Sequence, residues 1–149
     1  MIKLINTVIA SVFYTGFIKK GGGTVSALIV CLVFFFTESI LARIYLTYAF
    51  IVLGTAASYY LEDIWEHDSP RIVIDEAAGM ALALFLLPAS LLAYTGAFIL
   101  FRLFDIFKWF PVNRSETIPG STGVMLDDIV AGLISNIIIH SALWTVRIL

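Results

Sequence analysis

Two pairs of adjacent carboxylates stand at the mouths of apolar runs: Asp75-Glu76 precedes residues 77–101, and Asp127-Asp128 precedes residues 129–146. Neither run contains an Asp, Glu, Lys or Arg. Moving an ionised group from water into hydrocarbon or a dry core is costly unless the group is paired, solvated or bound to a cation. Even so, ten of the eleven acidic residues crowd into positions 62–76 and 105–128. Oxygen donors gathered at such boundaries suit Mg²⁺, which takes one or two carboxylates together with water and substrate phosphate. Another acid, Asp105, lies between two bases in the segment from Phe101 to Lys108. Spacing of three predicts Arg102, Asp105 and Lys108 on one helix face among apolar neighbours. A stripe of that kind fits a site that holds both a cation and a phosphate.

Each constellation also has a plainer explanation. Asp75 and Glu76 could simply complement a helix dipole, worth ~0.3–1 kcal/mol. With Asp63 and Asp68 upstream, however, they repel one another unless a cation or Arg71 intervenes. The stripe at 102–108 could be a solvated ion-pair ladder. Asp127-Asp128, preceded by Gly120-Ser121-Thr122-Gly123, could merely end a span at the interface. Lys19-Lys20-Gly21-Gly22-Gly23-Thr24 could bring backbone N–H groups and two ammonium groups to an anion, or serve as a glycine-rich linker. It is not a Walker loop. Covalent phosphatase signatures are missing: Cys31 has no arginine six residues on, and no Asp-x-Asp is followed by threonine. The only histidines are His67 and His140, the latter expected to be packed or bonded to a helix, and no zinc spacing occurs.

The elements that must carry these residues are unusually apolar. Of 149 residues, 60% are hydrophobic and 13% charged, the mean hydropathy is +0.99 and the net charge is −2. Soluble domains run nearer a quarter charged, so the composition reads as that of a membrane protein with one domain, residues 1–149. Nothing resembles the basic stripe of a nucleic-acid binder. The one cysteine, Cys31, excludes an internal disulfide and reads as a small packing residue.

Ile5, Val8, Ile9, Val12 and Phe13 recur at helical spacing and predict an amphipathic interfacial helix rather than a cleaved signal. Four apolar blocks follow at Thr24–Phe36, Ile40–Leu61, Ala77–Phe101 (broken at Pro88) and Ile129–Val146. No period-two alternation persists, so the expected class is all-α: a membrane-embedded bundle of helical hairpins. If Thr37-Glu38-Ser39 and Pro88-Ala89-Ser90 are the tight turns, the connections at 14–23, 62–76 and 102–128 emerge together on one face. A single pass for 77–101 would separate the acids. Lys3, Lys19, Lys20, Arg71, Arg102, Lys108 and Arg114 then share that face, which predicts that it is cytoplasmic.

At these residues the chain resembles the phosphatidylglycerophosphatase A family. The matching pieces are Gly23-Thr24, IVIDEAAG at 72–79, FRLFDIFK at 101–108 with Pro111, and GVMLDDIVAG at 123–132. It departs from the family's usual Pro-Gly-Thr-x-Gly-Ser in the first loop, reading Gly22-Gly23-Thr24-Val25-Ser26-Ala27, and has Trp109 where proline usually follows the lysine. The resemblance implies a Mg²⁺-dependent lipid phosphatase of phospholipid biosynthesis. Such an enzyme hydrolyses phosphatidylglycerophosphate to phosphatidylglycerol and phosphate at the inner membrane's cytoplasmic face, by direct attack of a metal-activated water. The candidate metal ligands are Glu76, Asp105, Asp127 and Asp128, with Asp75 as ligand or general base. Arg102, Lys108, Lys19, Lys20 and the Gly23-Thr24 backbone would hold the phosphate. The rival readings are a small cation transporter or channel subunit, whose acids should line the spans themselves, and a catalytically inactive relative.

Overall fold

A computed structural model of the protein describes residues 1–65, 69–118 and 120–148. Among them there are six α-helices and no strand: α1 (Ile2–Ala10), α2 (Gly22–Phe36), α3 (Ile40–Trp65), α4 (Ile74–Ala83), α5 (Leu91–Phe107) and α6 (Ser121–Ile148). Short 3₁₀ turns occupy Thr15–Phe17 and Val112–Thr117. Helices satisfy their own backbone polar groups, which long apolar runs cannot do by turning to water.

The 26 residues of α3 and the 28 of α6 are each long and apolar enough to cross a membrane. At ~1.5 Å per residue both exceed the ~30 Å hydrocarbon core of a bilayer. Only 22% and 17% of their apolar windows are buried inside the protein. Leu41, Tyr45, Tyr48, Leu133 and Ile137 project outward instead. Outward-facing apolar helices of this length point to a membrane protein.

Residues 77–101 do not make one pass. α4 stops at Ala83, the chain turns through 84–90, and Ser90 Oγ caps α5 by accepting from the Ala93 N–H at 3.2 Å. Pro88 explains the break, because proline cannot donate to a helix and disfavours helical backbone before it. The two tight turns lie at one end of the bundle, tied by Arg43. Its Nε donates to the Thr37 carbonyl at 2.8 Å and its Nη1 to the Leu87 carbonyl at 3.2 Å. The three polar connections therefore leave from the other end.

α4 is only ten residues long, ~15 Å, so it ends about halfway through an apolar slab. Its last carbonyls would be orphaned there without internal donors. Asn136 of α6 supplies one, its Nδ2 donating to the Ala83 carbonyl at 3.1 Å and also to the Phe85 carbonyl in the following turn at 2.8 Å, with His140 Nε2 3.2 Å from the same Phe85 oxygen. α4 packs most extensively on α6. The close approach rests on two glycines: a Cβ at Gly132 would strike the Gly79 carbonyl, and one at Gly79 would strike the Asp128 carbonyl and the Phe101 ring. Small residues at a crossing let backbones approach where apolar side chains gain nothing over lipid.

The N-terminal helix is shorter than its periodicity predicts. It ends at Ala10, and Val12 and Phe13 adopt positive φ of 43° and 54° rather than continuing it. Ser11 competes with the helix, donating to the Thr7 carbonyl at 2.6 Å while accepting from the Tyr14 N–H at 3.1 Å.

Candidate active site

Two chain segments fix the start of α4, where the first acidic pair sits. The Ser26 hydroxyl of α2 donates to the Val73 carbonyl at 2.8 Å, and the Val73 N–H donates to the Ala10 carbonyl at 2.9 Å. Asp75 and Glu76 then fall in the first turn, and the Glu76 N–H donates to Asp75 Oδ1 at 3.1 Å. The N-terminus of α2 approaches from the side, begun by Gly21 at φ +85°. A Cβ at Gly23 would overlap the Glu76 carboxylate where it stands, so any larger residue there would displace that side chain. A carboxylate at that point also meets the positive end of the helix dipole.

α6 delivers the second pair. Gly79 lies one turn into α4 from Asp75, and Gly132 one turn into α6 from Asp128, so the glycine crossing sets the two acids side by side. Carboxylate oxygens of Asp75, Glu76 and Asp128 lie within 4.8 Å of one another. Asp127 points to a different neighbour: its Oδ2 accepts from Lys108 Nζ at 3.0 Å. Arg102 and Asp105 form the expected ion pair along α5. Lys108 does not continue that face, contrary to the spacing argument. α5 ends at Phe107, and Lys108 takes a left-handed conformation at φ 45°, which turns its ammonium toward α6.

These groups line a cleft of about 490 Å³ at the polar end of the bundle. Asp75, Glu76, Asp105, Asp127 and Asp128 face it, as do Lys19, Arg102, Lys108 and Gly23. Lys20 and Thr24 do not line it; Lys20 is exposed and Thr24 half-buried. Asp68 and His67 lie outside the described residues. Burial pushes the Asp75 carboxyl up to about 6, against the downward pull of its hydrogen bond with Glu76. Glu76 is likewise pushed well above the usual carboxylate range, first by burial and then by the charge of Asp75.

Fully ionised, the five carboxylates against three cationic side chains leave an excess of two negative charges among the described cleft residues. One divalent cation would balance it. The donor set is all oxygen, as Mg²⁺ requires. Glu76 Oε2 is buried with no hydrogen-bond partner, an expensive state that a bound cation would relieve. Asp75, Glu76 and Asp128 therefore fit a hard divalent ion.

The family profile of phosphatidylglycerophosphatase A matches residues 8–143. The chain belongs to the phosphatidylglycerophosphatase A family. It is a phosphatase, a phosphoric monoester hydrolase. A Bacteroides thetaiotaomicron protein provisionally described as a phosphatidylinositol-3-phosphatase is 35% identical over 144 residues, 90% of this chain and 91% of that one. The phosphatidylglycerophosphatase A of Escherichia coli is 36% identical over 97 residues, 60% of this chain and 56% of its own. That of Haemophilus influenzae is 36% identical over 81 residues, covering 53% and 50%. No solved structure matches.

The phosphatidylglycerophosphatase A motifs fall on this cleft, but one residue at its edge carries no motif. Glu62 of α3 accepts from the Ser121 N–H at 2.9 Å and so caps the helix that bears Asp127 and Asp128. In sequence Glu62 is one acid among several in its island. Nothing in its spacing links it to a residue 59 positions later.

Proposed function

We propose that this chain is a Mg²⁺-dependent phosphatidylglycerophosphatase of phospholipid biosynthesis, acting at the cytoplasmic membrane surface. The observation that carries the reading is the cluster of Asp75, Glu76 and Asp128, which faces a cleft ringed by Lys19, Arg102 and Lys108 at the end of two membrane-length helices. A transporter would place its acids along the spans; here they stand at the helix ends.

The residues divide the work by charge. Lys108, Arg102 and Lys19, with the N–H groups of Gly22 and Gly23 at the start of α2, which line the cleft, supply donors for the oxygens of a phosphomonoester. Asp127 and Asp105 hold Lys108 and Arg102 in place. Asp75, Glu76 and Asp128 would hold the cation, with Asp105 beside them. Bound there, Mg²⁺ would polarise the phosphoryl oxygens, offset developing charge and favour ionisation of an attacking water. No histidine or cysteine lines the described cleft, so a carboxylate is the group positioned to take the proton of that water. As the bond from water to phosphorus forms, the bond to the glycerol oxygen breaks, and that oxygen leaves with a proton as the lipid alcohol. Lys19, Lys20, Arg71, Arg102, Lys108 and Arg114 stand at this end against Arg43 and Arg147 at the other, a bias that supports the cytoplasmic assignment.

A second substrate is favoured by one observation, the description of the Bacteroides relative. The deciding assay measures phosphate release by the purified protein from phosphatidylglycerophosphate, phosphatidylinositol 3-phosphate and phosphatidic acid in mixed micelles. The expected result is highest kcat/KM on phosphatidylglycerophosphate, lost with EDTA and in Asp128→Asn. Higher kcat/KM on the inositol lipid would move the substrate, and no release from any of the three would sink the proposal.

A further inference from the structure

A second cavity, of 410 Å³, lies between α2 and α5 farther into the apolar slab. Its volume falls in the range of ligand cavities, about 300–1,000 Å³. Leu28, Cys31 and Phe35 form one wall and Leu91, Thr95 and Phe98 the other. α2 packs more on α4 than on α5, so the gap between α2 and α5 stays unfilled. Leu28, Phe35 and Leu91 are exposed at its mouth, which leaves the groove open sideways.

The groove and the catalytic cleft share the same two helices. On α5 the series Leu91, Thr95, Phe98, Arg102, Asp105 advances by four and three, a single helical face. Its first three members line the groove and its last two line the cleft. On α2, Thr24 stands one turn from Leu28 and next to Gly23, between the two cavities, which accounts for its absence from the cleft lining. Measured along α5 from Asp105 to Leu91, the face spans ~21 Å at ~1.5 Å per residue. That reaches past the ~15 Å depth of one leaflet, half the ~30 Å hydrocarbon core.

We infer that this groove receives an acyl chain of the substrate lipid while the phosphate occupies the cleft. The inference rests on the phosphatase reading and extends it to the apolar half of the substrate. An acyl chain gains little hydrophobic energy by moving from bilayer to groove, since both are apolar. What it gains is alignment: a chain lying along α5 brings its own headgroup to Arg102 and Asp105, which favours productive binding.

The test narrows the groove without touching the cleft. Thr95→Phe adds a ring at an exposed position, and Thr95→Ala serves as the size-reducing control. Both are compared with wild type on a long-chain phosphatidylglycerophosphate and on a short-chain analogue with the same headgroup. Thr95→Phe should raise KM for the long-chain substrate at least about fivefold, the lower end of an overpacking penalty. Its kinetics on the short-chain analogue should match wild type, and Thr95→Ala should match wild type on both. Unchanged long-chain KM in Thr95→Phe would overturn the inference and leave the groove to bulk lipid or a partner helix. An equal loss on both substrates would also overturn it, placing the effect in the fold. A wild-type chain inactive on both substrates would overturn the phosphatase reading itself.

Discussion

Asp75 and Glu76 are carboxyl groups whose burial disfavours their charged form, Asp75 rising from 3.8 to about 6. A carboxyl raised on folding contributes stability that is fully present below its unfolded value and lost as pH rises through its folded value. The metal-free protein should therefore lose thermal stability as pH climbs from 3.8 to about 6. A bound divalent cation favours the ionised carboxylates and reverses the trend. Mg²⁺ should raise Tm at neutral pH and have little effect near pH 3.8, read by thermal denaturation in detergent with EDTA or Mg²⁺. Asp75→Asn should raise the metal-free Tm at neutral pH and abolish the Mg²⁺-dependent rise; a Tm in EDTA that ignores pH would contradict this account. Lys108 belongs to the phosphate side of the cleft. Lys108→Met should cut kcat/KM roughly 10- to 100-fold, as expected for about 1.5–3 kcal/mol in hydrogen bonds to a charged group. An undiminished rate would remove Lys108 from substrate binding.

Helices convert these residues into a site through two contacts, the glycine crossing of α4 on α6 and the Glu62 cap on α6. Gly132→Ala places a methyl against the Gly79 carbonyl and must separate the helices. Because Asp128 lies one turn away, the expected outcome is loss of Mg²⁺ affinity by isothermal titration together with a lowered Tm. Wild-type affinity in that variant would mean the crossing tolerates the separation. Glu62 acts as a positioning residue. Glu62→Gln keeps an acceptor for the Ser121 N–H and should retain most activity, whereas Glu62→Ala should lose about 1 kcal/mol of capping and raise the Mg²⁺ concentration needed for half-maximal rate. An equal loss in the two variants would show that the charge of Glu62 matters, not the cap.

The molecule as a whole is polarised. The cleft carboxylates, most of the bases and all three longer connections occupy one end, and the two turns joined by Arg43, one of them bearing Glu38, occupy the other. In a Cys31→Ser background, cysteines introduced at Lys20 and at Glu38 should react with a membrane-impermeant thiol reagent from opposite sides. The expected pattern is labelling at position 20 only in inside-out vesicles and at position 38 only in right-side-out ones. The reverse pattern would put the catalytic end outside, and labelling of both from one side would undo the topology.

Much of this was legible in the chain itself. Apolar runs that cannot satisfy a backbone in lipid except as helix gave the helical class, and Pro88 with the charge-poor turns gave the hairpins. Confinement of the acids to two islands gave the acidic end. Periodicity misplaced Lys108, because the end of α5 is set by a left-handed residue that spacing does not encode. It also extended α1 past Ala10, where Ser11 captures the backbone. Tertiary structure alone decided which carboxylates meet. Asp127 and Asp128 are adjacent in sequence, yet on a helix neighbours point about 100° apart. One faces Lys108, and the other joins Asp75 and Glu76 across a contact that two glycines make close enough.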